Sequence, residues 1–310
     1  MQFKRKQVKR MPKIQYKEIA FRQKSLDLIN LINGVVTEYS KQGYELTLRQ
    51  VYYQLVARGY IENNERSYKN IGNLINDGRL AGLIDWNSIT DRTRNLRHNS
   101  HWDKPQDVIY SAKYSYLLDK WEGQPNYVEV WVEKDALVDI VGQACQPIDT
   151  PYFSCRGYTS QSEMWTAAQR FLRQNYREGR YIIHLGDHDP SGIDMTRDIQ
   201  ERLEMFGAAV KVKRVALTMN QVKTYNPPPN PAKITDSRCG KYIDQYGEES
   251  WELDALEPQM LVNLIRNEVT ALRDDALYQA ICEREAQEKE ELQLLVDNYD
   301  MAIDHIREWQ

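Results

Sequence analysis

The stretch YIIHLGDHDPSG, residues 181–192, decides the fold. Its first five residues read as a short apolar strand, and Pro190 to Gly192 then turn the chain into a helix predicted over 192–206. Asp187 and Asp189 stand two apart just past the strand, so in extended geometry both point to one side and His188 to the other. An earlier segment repeats this design. YVEVWV at 127–132 reads as a strand that stops at Glu133, with a helix predicted over 135–145. Strands at 151–155 and 209–216 and a helix at 160–176 complete an alternation that predicts a mostly parallel sheet with helices on its faces. In open sheets of this kind ligands gather at the carboxyl ends of the strands.

Glu133, Asp187 and Asp189 therefore converge in the expected fold. Three carboxylates brought together repel unless a hard cation sits among them, and oxygen ligands suit Mg²⁺, with Mn²⁺ able to substitute. A lone D-x-D is more often a turn or helix cap. The pairing of a strand-end Glu with a strand-end D-x-D-P-x-G about 50 residues later is what favours a metal site.

Upstream of the sheet the chain is helical and basic. Residues 1–100 carry 18 Lys/Arg against 9 Asp/Glu and the remainder 23 against 36, so a net charge of −4 hides a division. A positive first third fits a polyanion such as DNA, and the acidic remainder fits a cation site or a solvated surface. Residues 1–19 read as a basic tail. Apolar spacing predicts a helix from Phe21 to about Gln42, closed by Gly43. TLRQ at 47–50 is a capping-box pattern that starts a second helix reaching about Arg58, and a third spans Ser67 to Leu80.

Three helices followed by a hairpin-like extension give the outline of a winged-helix domain over 20–100. Its third helix would offer Lys69, Asn73 and Arg79 to double-stranded DNA, with Arg92 and Arg94 on the wing. A small helical module with a solvated basic face reads equally well from this segment alone. Residues 101–126 form a connector, and 127–310 the metal-binding domain with its C-terminal helices. Within it NPPPNPA at 226–232 must be extended. Helices are predicted over 252–272 and 275–308, the latter with an apolar stripe at Leu292, Val296, Tyr299, Ile303 and Ile306 that packs on its own domain or on a second chain. Asp254 and Glu257 read as helix-surface charges, and Lys134 as a strand-end lysine that is solvated or meets DNA.

Cys145, Cys155, Cys239 and Cys282 lie far apart and read as reduced thiols. With no long apolar run and no secretory signal, a cytoplasmic, nucleoid-associated protein is expected.

The VEK segment at 132–134 and DHDPSG at 187–192 resemble the Toprim motifs of topoisomerases, bacterial primases and related nucleases. The DxDPxG form is most similar to the topoisomerase VI A subunit and its relatives that make meiotic double-strand breaks. TLRQVYY at 47–53 resembles that family's nucleophilic-tyrosine motif, with Gln50 where an acid is usual. The resemblance implies a winged-helix domain followed by a Toprim domain. It further implies a type IIB topoisomerase A-like enzyme of the isomerase class that cleaves duplex DNA through a 5′-phosphotyrosine, working as a homodimer in which one protomer's tyrosine meets the other's metal.

Helix geometry favours Tyr53 over Tyr52 as the nucleophile. Leu48, Val51, Tyr52 and Leu55 share the buried face, whereas Tyr53 points outward with Arg49 one turn before it, where a guanidinium can steady a phosphate. Arg49, Tyr53 and Glu133 are thus the expected catalytic residues, Glu133 doubling as metal ligand and proton donor to the leaving oxygen. No G-x-x-x-x-G-K-[ST] loop is present, so strand passage would need a separate B-type ATPase subunit. Two other functions use the same residues: a Toprim nuclease with water as nucleophile, and a non-catalytic DNA-binding module.

Overall fold

The computed structural model describes residues 13–90, 99–174, 177–232 and 238–309. Most of the basic tail, together with Arg92 and Arg94, lies outside the described residues. The chain begins with α1 (Gln23–Lys41), β1 (Leu46–Thr47), α2 (Leu48–Ala57), α3 (Glu65–Leu80), β2 (Ile89–Thr90) and α4 (Pro105–Ser115). Alternation follows through β3 (Asn126–Val132), α5 (Val138–Cys145), β4 (Tyr152–Ser154), α6 (Gln161–Arg173), β5 (Gly179–Leu185), α7 (Pro190–Met205) and β6 (Lys211–Ala216). The rest is α8 (Met219–Tyr225), β7 (Asn230–Pro231), α9 (Cys239–Tyr246), β8 (Glu249–Ser250), α10 (Pro258–Thr270), α11 (Asp275–Asp297) and α12 (Tyr299–Glu308).

The expected parallel sheet is present as four strands in the order β4-β3-β5-β6. Both of its faces are covered, which is why its central strands read as unbroken apolar runs. Val128, Val130 and Val132 pack with Ile140, Val141, Leu261 and Ile265, residues of α5 and α10. Trp131 and Ile182 pack on the other side with Met164 and Phe171 of α6 and Met195 and Ile199 of α7. The chain leaves β3 toward β4 on one side and leaves β5 toward β6 on the other. The carboxyl ends of β3 and β5, paired as Val132 with Leu185, therefore border the crevice where such sheets hold ligands.

α1 to α3 arise for the reasons the sequence suggested. Ile29, Ile32, Val36 and Tyr39 form the buried stripe of α1, Gly43 adopts a φ of 87° just beyond it, and Thr47 and Gln50 make the capping box of α2. These helices join the core of the sheet. Tyr44 donates to Gln259 Oε1 on α10 at 2.6 Å. β1 and β2 pair in parallel, not as a hairpin, and the segment after β2 lies outside the described residues.

The connector holds a helix of its own, and two expected helix bounds are corrected. The connector at 101–126 contains α4, which packs along α11; its Gln106 donates to the Val296 carbonyl at 2.5 Å. The helix expected over 252–272 begins only at Pro258, after a 3-10 turn at Leu253–Ala255. The C-terminal helix breaks at Asn298, and α12 buries none of its residues, Ile306 being 56% exposed. No helix among the described residues is long and apolar enough to cross a membrane.

Candidate functional site

Glu133 leaves β3 and turns its Oε2 onto the backbone N–H of Asp187, which donates at 2.9 Å. Room for that carboxylate comes from two glycines that flank the strand end, Gly186 just before DHDPSG and Gly192 at its close. A Cβ at Gly186 would lie 2.9 Å from Glu133 Oε2, and one at Gly192 would lie 3.0 Å from it and 2.2 Å from the Asp187 carbonyl. Asp189 is the N-cap of α7. Its Oδ1 accepts from the Gly192 N–H at 2.6 Å and from Ser191 Oγ at 2.9 Å. The Glu133 carboxyl is pushed above its ordinary pKa by burial, opposed by the Asp187 N–H and reinforced by the Asp189 charge.

Asp187 is 6% exposed. Its Oδ1 accepts from the Leu253 N–H at 2.8 Å and meets Lys134 Nζ at 2.8 Å. Burial raises its pKa to about 7, with Glu133, Glu252 and Asp254 adding to the rise and Lys134 opposing it. The loop that carries it is gripped from below by Arg214, a residue that sequence reasoning passed over. Its Nη1 donates to the Gly192 carbonyl at 2.8 Å, and its Nη2 donates to Gly186 at 2.9 Å and to Asp187 at 2.5 Å.

Among the described residues, the carboxylates whose oxygens all lie within 4.8 Å of one another are Asp187, Glu252 and Asp254. This buried acidic triad could bind a metal ion. Glu133 and Asp189, the other two expected ligands, feel each other's charge but are engaged with backbone amides.

Two expectations are corrected at this point. Asp254 is not a helix-surface charge: it is 3% exposed in the 3-10 turn ahead of α10. Glu257, by contrast, is exposed, and it accepts from the Tyr39 hydroxyl. Lys134 is not solvated, for its side chain is 16% exposed and its ammonium lies against Asp187, Glu252 and Asp254. Burial disfavours that ammonium, but the three carboxylates outweigh it and hold the lysine's pKa above its usual value.

The α2 helix completes the site from the other side. Arg49 Nη2 meets Glu252 Oε2 at 2.6 Å and its Nε meets Asp254 Oδ2 at 3.0 Å. The guanidinium carbon lies 5.9 Å from the centre of the Tyr53 ring. Tyr52 is core as expected, 3% exposed, donating to Asn63 Oδ1 at 3.0 Å and to the Asn64 carbonyl at 3.1 Å.

Tyr53, expected to point outward, is only 5% exposed. The helical wheel separates the two tyrosines correctly, but the face opposite Tyr52 meets protein. The extended segment with Asn230 crosses it, hydrogen-bonded to Tyr53 through Asn230 and anchored by Asn63, which donates to the Pro229 carbonyl at 2.9 Å and to Asn230 Oδ1 at 2.7 Å. Burial raises the Tyr53 pKa to about 12, Glu252 adding to it while Arg49, Asn230 and Lys134 oppose. Tyr53, Arg49, Asp187, Asp189 and Glu252 nonetheless line one cavity of about 470 Å³.

Of the candidate DNA contacts, Lys69 and Asn73 are exposed on α3. Lys69 pairs with Glu65 one turn before it at 2.7 Å. Arg79 spends its guanidinium on the carbonyls of Trp86 at 3.1 Å and Ile89 at 2.5 Å. His188 is 1% exposed and its Nδ1 is paired with the Tyr242 hydroxyl at 2.8 Å, away from the carboxylates, as its alternation in sequence suggested. No family model, curated protein or solved structure matches the chain.

Proposed function

We propose that the chain is a topoisomerase VI A-like transesterase, with a winged-helix domain and a Toprim domain, that cuts duplex DNA through Tyr53 with Mg²⁺ or Mn²⁺. One observation carries this reading: the candidate nucleophile Tyr53, Arg49 and the carboxylates Asp187, Asp189 and Glu252 border a single cavity although they come from sequence positions 49 to 252. A surface tyrosine would have no reason to share that space with Asp187.

Asp187, Glu252 and Asp254 would hold the cation, which when bound supplies positive charge to the phosphate under attack. Arg49 holds a phosphate oxygen beside Tyr53. The phenol loses its proton to solvent and its oxygen bonds to phosphorus. As the P–O3′ bond breaks, the 3′ oxygen takes a proton from Glu133, whose burial favours the protonated carboxyl. The product is a 5′-phosphotyrosine and a free 3′ hydroxyl. Cutting both strands takes two copies of Tyr53, hence a homodimer, and strand passage takes a separate ATPase subunit.

A nuclease that uses water in place of Tyr53 is the second reading, favoured by the burial of Tyr53 and its pKa of about 12. Incubation with end-labelled duplex DNA and Mg²⁺, quenched in denaturant, separates the two. The transesterase leaves protein on 5′ ends, lost in Tyr53→Phe. Cleavage that survives Tyr53→Phe without an adduct identifies the nuclease, and salt-sensitive binding alone, also in the presence of an ATPase subunit, identifies a DNA-binding module.

A further inference from the structure

The acidic triad already holds cations of the protein's own. Lys134 Nζ lies 2.8 Å from Asp187 and 3.3 Å from Asp254 and also touches Glu252, while Arg49 reaches Glu252 and Asp254 from α2. The side chain of Asp254 is wholly buried, and neither of its oxygens receives a well-aligned hydrogen bond. What compensates its charge is the proximity of these two side chains. A carboxylate buried on such terms accepts another cation readily, because no directed donor has to be given up.

The two cations differ in what they join. Lys134 and Asp187 both follow the carboxyl ends of the central strands β3 and β5, whereas Arg49 ties the segment ahead of α10, through Glu252 and Asp254, to the helix carrying Tyr53. Arg49 also keeps 43% of its side chain open to solvent, against 16% for Lys134, so it can leave without crossing the core. In this closed arrangement Asn230, anchored by Asn63, covers the phenol of Tyr53.

We propose that Arg49 and Lys134 form a latch that keeps α2 closed on the acidic triad, and that both give up the triad when a divalent cation binds there. Cation binding and the uncovering of Tyr53 are then one event. The metal-free protein is held inactive by contacts within its own chain, and a cut cannot begin before the ion that assists it is in place. The latch itself rests on the proposed cation site alone; its control of a cut rests on the transesterase reading as well.

Two states linked in this way obey reciprocity: whatever the cation does to the latch, breaking the latch does to cation affinity by the same factor. The test uses the full chain without DNA. Hydrogen exchange of the α2 amides, residues 48–57, is followed with and without Mg²⁺, and Mn²⁺ affinity is measured by electron paramagnetic resonance for wild type, Arg49→Gln and Asp254→Asn. Mg²⁺ is expected to speed α2 exchange, Arg49→Gln to bind Mn²⁺ more tightly by about fivefold or more, and Asp254→Asn to bind it more weakly.

Slower or unchanged α2 exchange in Mg²⁺ overturns the latch, as does unchanged or weaker Mn²⁺ binding by Arg49→Gln, or unchanged binding by Asp254→Asn. The exchange measurement on wild type stands whether or not a variant folds. Absence of Mn²⁺ binding in every protein removes the cation site itself and the latch with it. Failure of the transesterase reading shows separately, as a missing DNA adduct in a protein that still binds Mn²⁺.

Discussion

Glu133 and Asp189 are held by backbone amides, whereas Glu252 and Asp254 are held by side-chain cations. The first pair belongs to the local architecture of two strand ends. Glu133 fits the gap left by Gly186 and Gly192, and Asp189 caps α7, where the helix dipole favours its charge. The second pair exists as a site only because Lys134 and Arg49 arrive from 118 and 203 residues away. Amide donors fix a carboxylate in place; ammonium and guanidinium groups can be exchanged for another cation. Asp187 touches both arrangements, accepting from the Leu253 amide and from Lys134.

Substitutions on the two sides should therefore differ in size. Lys134→Met leaves three buried carboxylates short of a cation and should cost about 3–5 kcal/mol in metal-free urea unfolding at pH 8. Mg²⁺ should restore much of it. A loss below about 1 kcal/mol would mean that the triad does not depend on its lysine. On the other side, Asp189→Ala removes a cap and should cost about 1 kcal/mol, with Mg²⁺ making little difference. A loss as large as that of Lys134→Met would erase the distinction between the two sides.

A third effect concerns pH. Burial lowers the His184 pKa to about 3, with the Arg214 charge adding to the shift, while its Nδ1 is paired with Thr196 Oγ1 at 2.9 Å. The folded chain keeps this histidine neutral where the unfolded chain protonates it, below about pH 6.5. Its contribution to stability is therefore complete above that pH and is lost as pH falls toward 3. His184→Asn, which can keep the bond to Thr196, should flatten the fall in stability between pH 6.5 and 4. A variant with an unchanged slope would place the acid sensitivity elsewhere.

Local order was legible in the sequence wherever a pattern has one physical cause. Thr47 and Gln50 announced the start of α2, and the apolar runs before Glu133 and Gly186 announced strands buried on both faces. The prolines of 226–232 require an extended run, and Asn230–Pro231 pairs with Glu249–Ser250. What escaped notice depends on partners distant in sequence. WELDALE at 251–257 carries a helix-like spacing, yet its Leu253–Ala255 form a 3-10 turn against Asp187, and no periodicity reports that Leu253 donates to that aspartate. Arg214 looked like any strand residue, since its donors go to carbonyls of another loop. For Tyr53 the wheel gave the face, but not what covers that face.

The central claim is that Tyr53 is the group that joins DNA. The most direct measurement is to trap the protein on duplex DNA in Mg²⁺ with denaturant, digest it, and map the nucleotide-bearing peptide by mass spectrometry. A 5′-linked nucleotide on Tyr53, absent from Asp187→Ala, is the predicted result. An adduct on Tyr52 or any other residue, or DNA cut without an adduct in both wild type and Tyr53→Phe, would contradict it.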